Sequence, residues 1–83
     1  NNAIRTNPYY ALAYYNRGIE YTGLGKYKLA LDDFSSAIRI NPDFALAYYN
    51  RGNAKSYLKL DYCSDFKRAC DLGKCDNYNK VCK

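Results

Sequence analysis

The amino-acid sequence predicts an all-α protein in which antiparallel helical hairpins stack into an α-solenoid. Two observations support this prediction. Residues 7–18 read NPYYALAYYNRG and residues 41–52 read NPDFALAYYNRG, so a block recurs after 34 residues with ten of twelve positions identical. The match extends backwards, because residues 2–18 and 36–52 agree at 13 of 17 positions. A fixed period of this kind is typical of stacked repeats, in which each unit buries its apolar face on its neighbour.

Each period contains two helix signals separated by turns. A proline disfavours helical backbone in the residue before it, so helices are expected to end at or before Asn7 and Asn41. Gly25 marks the turn inside the first period, and two antiparallel helices of about 13 residues fit within one period. The predicted helices are residues 11–24, 27–40, 45–58 and about 62–72.

These helices divide the chain into four parts. Residues 1–6 are predicted to end the last helix of a preceding repeat, 11–44 to form the first repeat, 45–73 the second, and 74–83 a cysteine-containing capping helix. Because the sequence starts inside a repeat and contains no methionine, we expect a fragment of a longer array. The second repeat is two residues short, either because its turn is tighter or because residues are missing from the sequence.

Composition argues against catalysis and against several classes of partner. The chain contains no histidine, which removes the commonest general base and a frequent zinc ligand. No glycine loop or nucleophile–base pair is present, so we expect no catalytic residue, no cofactor and no metal site. The net charge is +5, but Lys and Arg are spread along the chain, so nucleic acid is not an expected partner. No run of about 18 apolar residues indicates a membrane span.

Three basic residues recur every four positions and therefore share one face of a predicted helix: Arg51, Lys55 and Lys59. Such a stripe either meets an acidic partner or is a solvated surface whose alkyl stems lie on the fold. The second interpretation is favoured, because runs of charge are usually solvated.

The repeat resembles the tetratricopeptide repeat, a helical hairpin of 34 residues. Counting from Ala11, the positions of that pattern are occupied by Tyr14, Gly18, Tyr21, Ala30, Phe34, Ala37 and Pro42. Glycine and alanine allow the two helices to approach closely, and the rings fill the space around that contact. Tyr14 and its counterpart Tyr48 are therefore expected in the core. The resemblance covers residues 2 to about 73 and implies a superhelix that binds other proteins.

The same resemblance implies a ligand groove on the concave side, lined by the first helix of each repeat. The positions that contact ligands in the family correspond here to Leu12, Tyr15, Asn16, Ile19, Thr22, Gly23, Leu46, Tyr49, Asn50, Asn53, Ser56 and Tyr57. Rings at such positions bury apolar side chains of a peptide. The amides of Asn16 and Asn50 are expected to bond either a peptide backbone or their own repeat. The carboxylate clamp of some members is not expected, because tyrosine stands where it needs lysine.

All four cysteines lie in the last 21 residues: Cys63, Cys70, Cys75 and Cys82. Cysteines seven residues apart on one helix are about 10 Å apart, too far for a disulfide, so bonds must join different elements. If the chain turns after residue 71 and returns as a helix, the nested pairs Cys63–Cys82 and Cys70–Cys75 face each other and staple the capping helix. There are two alternatives. One is a four-cysteine zinc site, although the C-x2-C spacing typical of such sites is absent, and the other is four reduced, buried thiols.

Residues 67–73, KRACDLG, resemble the helix end of Sel1-like repeats, which are relatives of the tetratricopeptide repeat. In some secreted members a cysteine at this point is bridged to the following helix. Tyr78 occupies the position of the expected partner, so the bridge does not transfer. The compartment therefore stays open: cytoplasmic if the thiols are reduced, exported or periplasmic if they are bridged.

The favoured function is a protein-interaction module that binds a peptide segment of another protein in the concave groove. The alternative is a structural scaffold that forms homo-oligomers by stacking through its repeat ends. The two differ in the residues that matter. Peptide binding depends on the groove residues, whereas self-association depends on end residues such as Ile4 and Val81.

Overall fold

A computed structural model describes residues 8–75 and 78–82. Its elements in chain order are α1 (Pro8–Gly23), α2 (Tyr27–Ile40), α3 (Ala45–Tyr57), α4 (Cys63–Asp71) and a π-helix (Tyr78–Cys82). Each element packs on the next, and α1 also touches α3, as expected for stacked hairpins. The described residues contain no strand, so the predicted all-α fold is confirmed. Within the same residues, no helix has both the length and the apolar character needed to cross a membrane.

The predicted start of the first helix was three residues late. α1 begins at Pro8 instead of residue 11, because proline suits the first helical position, where its missing N–H would have no helical partner. Before the second repeat, Pro42 lies instead in a turn, where the backbone N–H of Asp43 donates to Asn41 Oδ1 at 3.2 Å. There the helix begins at Ala45, as predicted.

The other helices follow the sequence prediction closely. α2 has the predicted bounds, α3 ends one residue before residue 58, and α4 lies one residue inside the predicted range at each end. The helix predicted to return after residue 75 is described only over Tyr78–Cys82. The helix end predicted for residues 1–6, and the capping-helix residues 76, 77 and 83, lie outside the described residues.

The two-residue shortfall of the second repeat lies in its second helix and not in a tighter turn. Three residues connect α1 to α2, whereas five connect α3 to α4. α4 has only 9 residues, against 14 in α2. The helix α4 therefore offers a shorter packing surface to the π-helix than α2 offers to α3.

Left-handed backbone closes the helices at equivalent points. Gly25 has φ +76° after α1, and Gly73 has φ +109° after α4, a conformation that favours glycine. After α3 the same place is held by Lys59 at φ +59°, where the backbone N–H of Leu60 donates to Lys55 O at 2.8 Å. The second repeat thus keeps the turn without its glycine, and Lys59 lies beyond the helix.

The core of the described residues is thin and consists of six alanines and two phenylalanines: Ala11, Ala30, Phe34, Ala37, Ala47, Ala54, Phe66 and Ala69. Each ring packs against a glycine of its partner helix. A Cβ atom on Gly18 would lie 2.7 Å from the Phe34 ring, and one on Gly52 would lie 2.5 Å from the Phe66 ring. A side chain at either glycine would therefore collide with the ring, so glycine permits the close approach of the two helices in each hairpin.

Candidate functional site

The groove residues predicted on α1 and α3 are a mixture of exposed apolar side chains and half-buried polar ones. Leu12, Ile19, Leu46 and Tyr57 are exposed, although they are large and apolar. Asn16 is also exposed and its side chain makes no hydrogen bond within the described residues, while Tyr15, Tyr49, Asn50 and Asn53 are half-buried. The surface can therefore bury apolar groups of a ligand and still offer polar partners to it.

Asn50 joins the first helices of the two repeats. Its Nδ2 donates to Tyr15 Oη at 3.0 Å and to the backbone oxygen of Leu46 at 2.9 Å. Burial raises the pKa of Tyr15, so its hydroxyl is neutral at ordinary pH. Both Asn50 donors are thus used inside the protein, and the amide oxygen is the atom left for a ligand. The two asparagines therefore differ. Asn50 donates within the protein, whereas the amide of Asn16 is available to a ligand.

The aromatic rings at the predicted groove positions contact the phenylalanines of the core and its neighbour Phe44. The Tyr15 ring lies 5.8 Å from the Phe34 ring and 4.8 Å from the Phe44 ring, between centroids. The Tyr49 ring lies 6.0 Å from the Phe66 ring. Tyrosines at these positions are therefore held in place by the hairpins, which lowers the entropy lost when a ligand contacts them.

Lys74, which sequence reasoning missed, comes from the segment after α4. Its Nζ lies 5.1 Å from the centroid of the Tyr49 ring, within the range of a cation–π contact. Its charge also acts on the Tyr15 hydroxyl, where it opposes part of the pKa rise caused by burial. The backbone N–H of Lys74 donates to Ala69 O at 2.8 Å, so the residue is anchored to the end of α4. The C-terminal segment therefore places positive charge beside two of the predicted groove residues, Tyr15 and Tyr49.

Each hairpin also contains a bidentate Arg–Asp pair. Arg17 donates through Nε and Nη2 to Asp33 at 2.7 and 2.8 Å, and Arg51 donates in the same way to Asp65 at 2.9 and 2.7 Å. Both carboxylates are buried. The signal in the sequence was an Arg-Gly pair followed by an Asp-Phe pair in both repeats, at separations that differ by the two missing residues.

The interpretation of a solvated basic stripe was wrong. Arg51 and Lys55 both contact the buried carboxylate of Asp65, Lys55 through Nζ at 3.2 Å, and Lys59 is outside the helix. In the first repeat the place of Lys55 is taken by Tyr21. The second repeat therefore has the cation of Lys55 where the first has the ring of Tyr21. Arg51 and Lys55 pair with Asp65 of their own hairpin.

The equivalent arginines differ in what covers them. The side chain of Arg51 is 20% exposed, and its Nη1 donates to Ser35 Oγ on α2 at 3.2 Å. The side chain of Arg17 is 57% exposed, and within the described residues no hydroxyl accepts from it. It lines an open cleft of about 290 Å³ together with Tyr10, Ala13 and Tyr14. These residues form a face of α1. The equivalent face of α3, which includes Arg51, is covered by α2.

The expectation that Tyr14 and Tyr48 are core residues was wrong, since both are half-buried. The Arg17 guanidinium lies 5.8 Å from the centroid of the Tyr14 ring. The Tyr48 ring is approached by two guanidinium groups, those of Arg51 at 5.6 Å and Arg68 at 5.8 Å. The rings support the buried ion pairs from outside, so polar atoms of Arg and Tyr keep contact with water.

The cysteines lie at disulfide distance in the nested arrangement. Cys63 and Cys82 have a Cα–Cα distance of 5.6 Å, and Cys70 and Cys75 have one of 3.9 Å. None of the four is free. Residues 8–75 and 78–82 hold no cluster of ligands suited to a metal ion. The Cys63–Cys82 bond ties the π-helix to the start of α4, and the Cys70–Cys75 bond ties the segment after α4 to its last turn.

Residues 11–44 match the family model of the tetratricopeptide repeat. This match supports the resemblance predicted for the first hairpin, and tetratricopeptide repeats are non-catalytic modules that generally mediate protein–protein interaction. The match does not reach the cysteine-containing segment, so the Sel1-like resemblance of residues 67–73 gains no support from it. Searches of curated proteins and of solved structures found no match to the chain.

Proposed function

We propose that the chain binds an extended peptide segment of a partner protein across α1 and α3. The observation that carries this proposal is the pair of asparagines at the same place in both repeats, Asn16 exposed and Asn50 with a free amide oxygen, among exposed leucines. An extended peptide has a backbone donor or acceptor at every residue, and amides pair with both. The binding role common to tetratricopeptide repeats supports the same function.

In this proposal the exposed apolar side chains and the amides have separate roles. Leu12, Ile19 and Leu46 bury apolar side chains of the peptide, which supplies most of the favourable free energy. Asn16 and Asn50 set the position and direction of the peptide, because an amide left unpaired under a ligand is unfavourable. The rigid placement of Tyr15 and Asn50 by their mutual hydrogen bond preorganises this surface.

Affinity measurements on peptides selected from a displayed random library test the groove. Asn16→Ala is expected to raise the dissociation constant about fivefold, since one hydrogen bond contributes roughly 1 kcal/mol. The thermal unfolding of this variant should be unchanged, because the side chain of Asn16 makes no hydrogen bond within the described residues. Lys28→Ala on the exposed face of α2 is the matched control and should bind normally. Equal affinities of the Asn16 and Lys28 variants for every selected peptide would disprove the groove.

A second candidate function, self-association through the exposed α1 face, is favoured by the difference between Arg17 and Arg51. Within the described residues, side chains of α1 equivalent to those that α2 covers on α3 are exposed, and Arg17 has no counterpart of the hydroxyl that Ser35 provides to Arg51. Tyr10, Ala13 and Tyr14 add apolar and ring surface to this cleft. Two copies that stack here would bury it.

Sedimentation velocity over a range of concentrations tests this second candidate. Ala13→Arg puts a long charged side chain into the cleft and is expected to hold the chain as a monomer at concentrations where the parent associates. Leu29→Arg adds the same side chain to the exposed part of α2 and should associate like the parent. A parent chain that stays monomeric throughout rules out self-association at this face.

A further inference from the structure

The cysteine-containing segment adds a wall to the groove and creates a cleft there. An open cleft of about 280 Å³ lies between α3, α4 and the π-helix, and it is lined by Asn53, Ser56, Tyr62, Phe66 and Val81. Asn53 and Ser56 are groove positions of α3, so the cleft continues the groove. Val81 supplies the wall opposite to them.

Covalent bonds, more than packing, hold this wall in place. None of the residues of the π-helix is buried, and Val81 is 52% exposed. The π-helix is joined to α4 by the Cys63–Cys82 bond, and the backbone N–H of Asn79 donates to Cys75 O at 3.0 Å. Cys75 is itself bonded to Cys70. Because little apolar surface is buried, closure of these loops is what keeps Val81 opposite α3.

We propose that this cleft is a specificity pocket that takes one apolar side chain, of leucine or phenylalanine size, from the peptide bound in the groove. The inference rests on the proposed function. The cleft is slightly smaller than the roughly 300–1,000 Å³ of sites for drug-sized ligands, so it suits a single side chain better than a cofactor. Its walls are Tyr62, Phe66 and Val81, and no lining residue is charged. A charged side chain would lose its hydration there without gaining a partner.

The charge near the cleft indicates which residues flank this side chain. Lys74 neighbours Cys75 of the second disulfide and places its Nζ beside the Tyr49 ring in the groove. The chain as a whole carries a net charge of +5. An acidic residue next to the apolar one is therefore favoured over a basic one.

NMR titration of the oxidised chain with capped amino acids tests the pocket. N-acetyl-leucine amide and N-acetyl-phenylalanine amide are expected to shift the Val81 methyl and Phe66 ring signals saturably, at millimolar concentrations typical of such small ligands. N-acetyl-asparagine amide should bind at least about fivefold more weakly. N-acetyl-Glu-Leu amide should bind more tightly than N-acetyl-Lys-Leu amide, and salt should reduce that difference.

Variants of Val81 and of the Cys63–Cys82 bond distinguish binding in the pocket from non-specific binding. Val81→Asp is expected to weaken the leucine probe about tenfold, whereas Val81→Ile should change it by less than about twofold. The double variant Cys63→Ser/Cys82→Ser releases the π-helix, keeps the Cys70–Cys75 bond, and should weaken the probe as much as Val81→Asp. Unsaturable shifts, or unchanged affinity in the double serine variant, would overturn the proposal. So would free thiols at Cys63 and Cys82, found by mass spectrometry of unreduced peptides.

The same titration distinguishes failure of the pocket from failure of the groove. A single capped amino acid does not span to α1, so Asn16→Ala should leave its affinity unchanged. If the capped amino acids bind as expected, but the selected long peptides bind Asn16→Ala as tightly as the parent, the pocket is supported and the groove is disproved. Long peptides that respond to Asn16→Ala but bind equally well to Val81→Asp support the groove and disprove the pocket.

Discussion

Replacing Gly52 by alanine is expected to lower the free energy of unfolding by about 1–3 kcal/mol, as added volume does in a close-packed core. Alanine inside a helix is otherwise about 0.5–1 kcal/mol more favourable than glycine, so a loss here reveals a steric conflict. The conflict is specific, since the new Cβ would lie 2.5 Å from the ring of Phe66, which is only 2% exposed. The ring cannot withdraw without opening the second hairpin.

Gly23→Ala is the matched control for this prediction. Gly23 also lies in a helix, but a Cβ there would have no atom within 4 Å, so the variant should be neutral or slightly more stable. Gly18→Ala should resemble Gly52→Ala, because its Cβ would lie 2.7 Å from the Phe34 ring. Urea unfolding followed by circular dichroism measures all three. A Gly52→Ala protein as stable as Gly23→Ala would show that glycine does not set the helix approach.

The sequence predicted the fold well because the signals that define it are local and the block that contains the prolines occurs twice. Pro8 and Pro42 lie at or next to helix ends, and Gly25 lies in the turn after α1. Helix geometry also excluded disulfides along one helix. The nested pairs needed one further assumption, that the chain turns after residue 71 and returns as a helix.

The parts of the site that the sequence did not reveal depend on contacts between helices. Nothing local indicates that Lys55 turns inward to Asp65, because a basic stripe on a helix is usually solvated. The reach of Lys74 into the groove depends on the turn at Gly73 and the disulfide beside it. Tyr14 and Tyr48 were misplaced for a similar reason, since an arginine beside each ring keeps it at the surface.

The buried ion pairs give the second large expected effect. Asp65→Ala should lower the free energy of unfolding by about 3–5 kcal/mol, because it leaves Arg51 and Lys55 without their shared carboxylate. The side chains of these two residues are only 20% and 23% exposed, so water compensates poorly. The total free energy of unfolding of a small domain is roughly 5–15 kcal/mol, so the variant should be close to unfolding.

Asp65→Asn separates the loss of charge from the loss of shape, because asparagine can still bond the arginine through its oxygen. It is expected to be destabilising, but less so than alanine. Asp33→Ala should cost less than Asp65→Ala, since Arg17 is largely exposed and regains water when its partner is lost. Asp32→Ala, an exposed neighbour, should change stability by less than about 0.5 kcal/mol. Urea midpoints rank the four variants, and an Asp65→Ala midpoint equal to that of Asp32→Ala would contradict a structural role for the pair. If the ranking holds, the second hairpin depends on its charges more than the first, because Lys55 has replaced the ring that Tyr21 provides there.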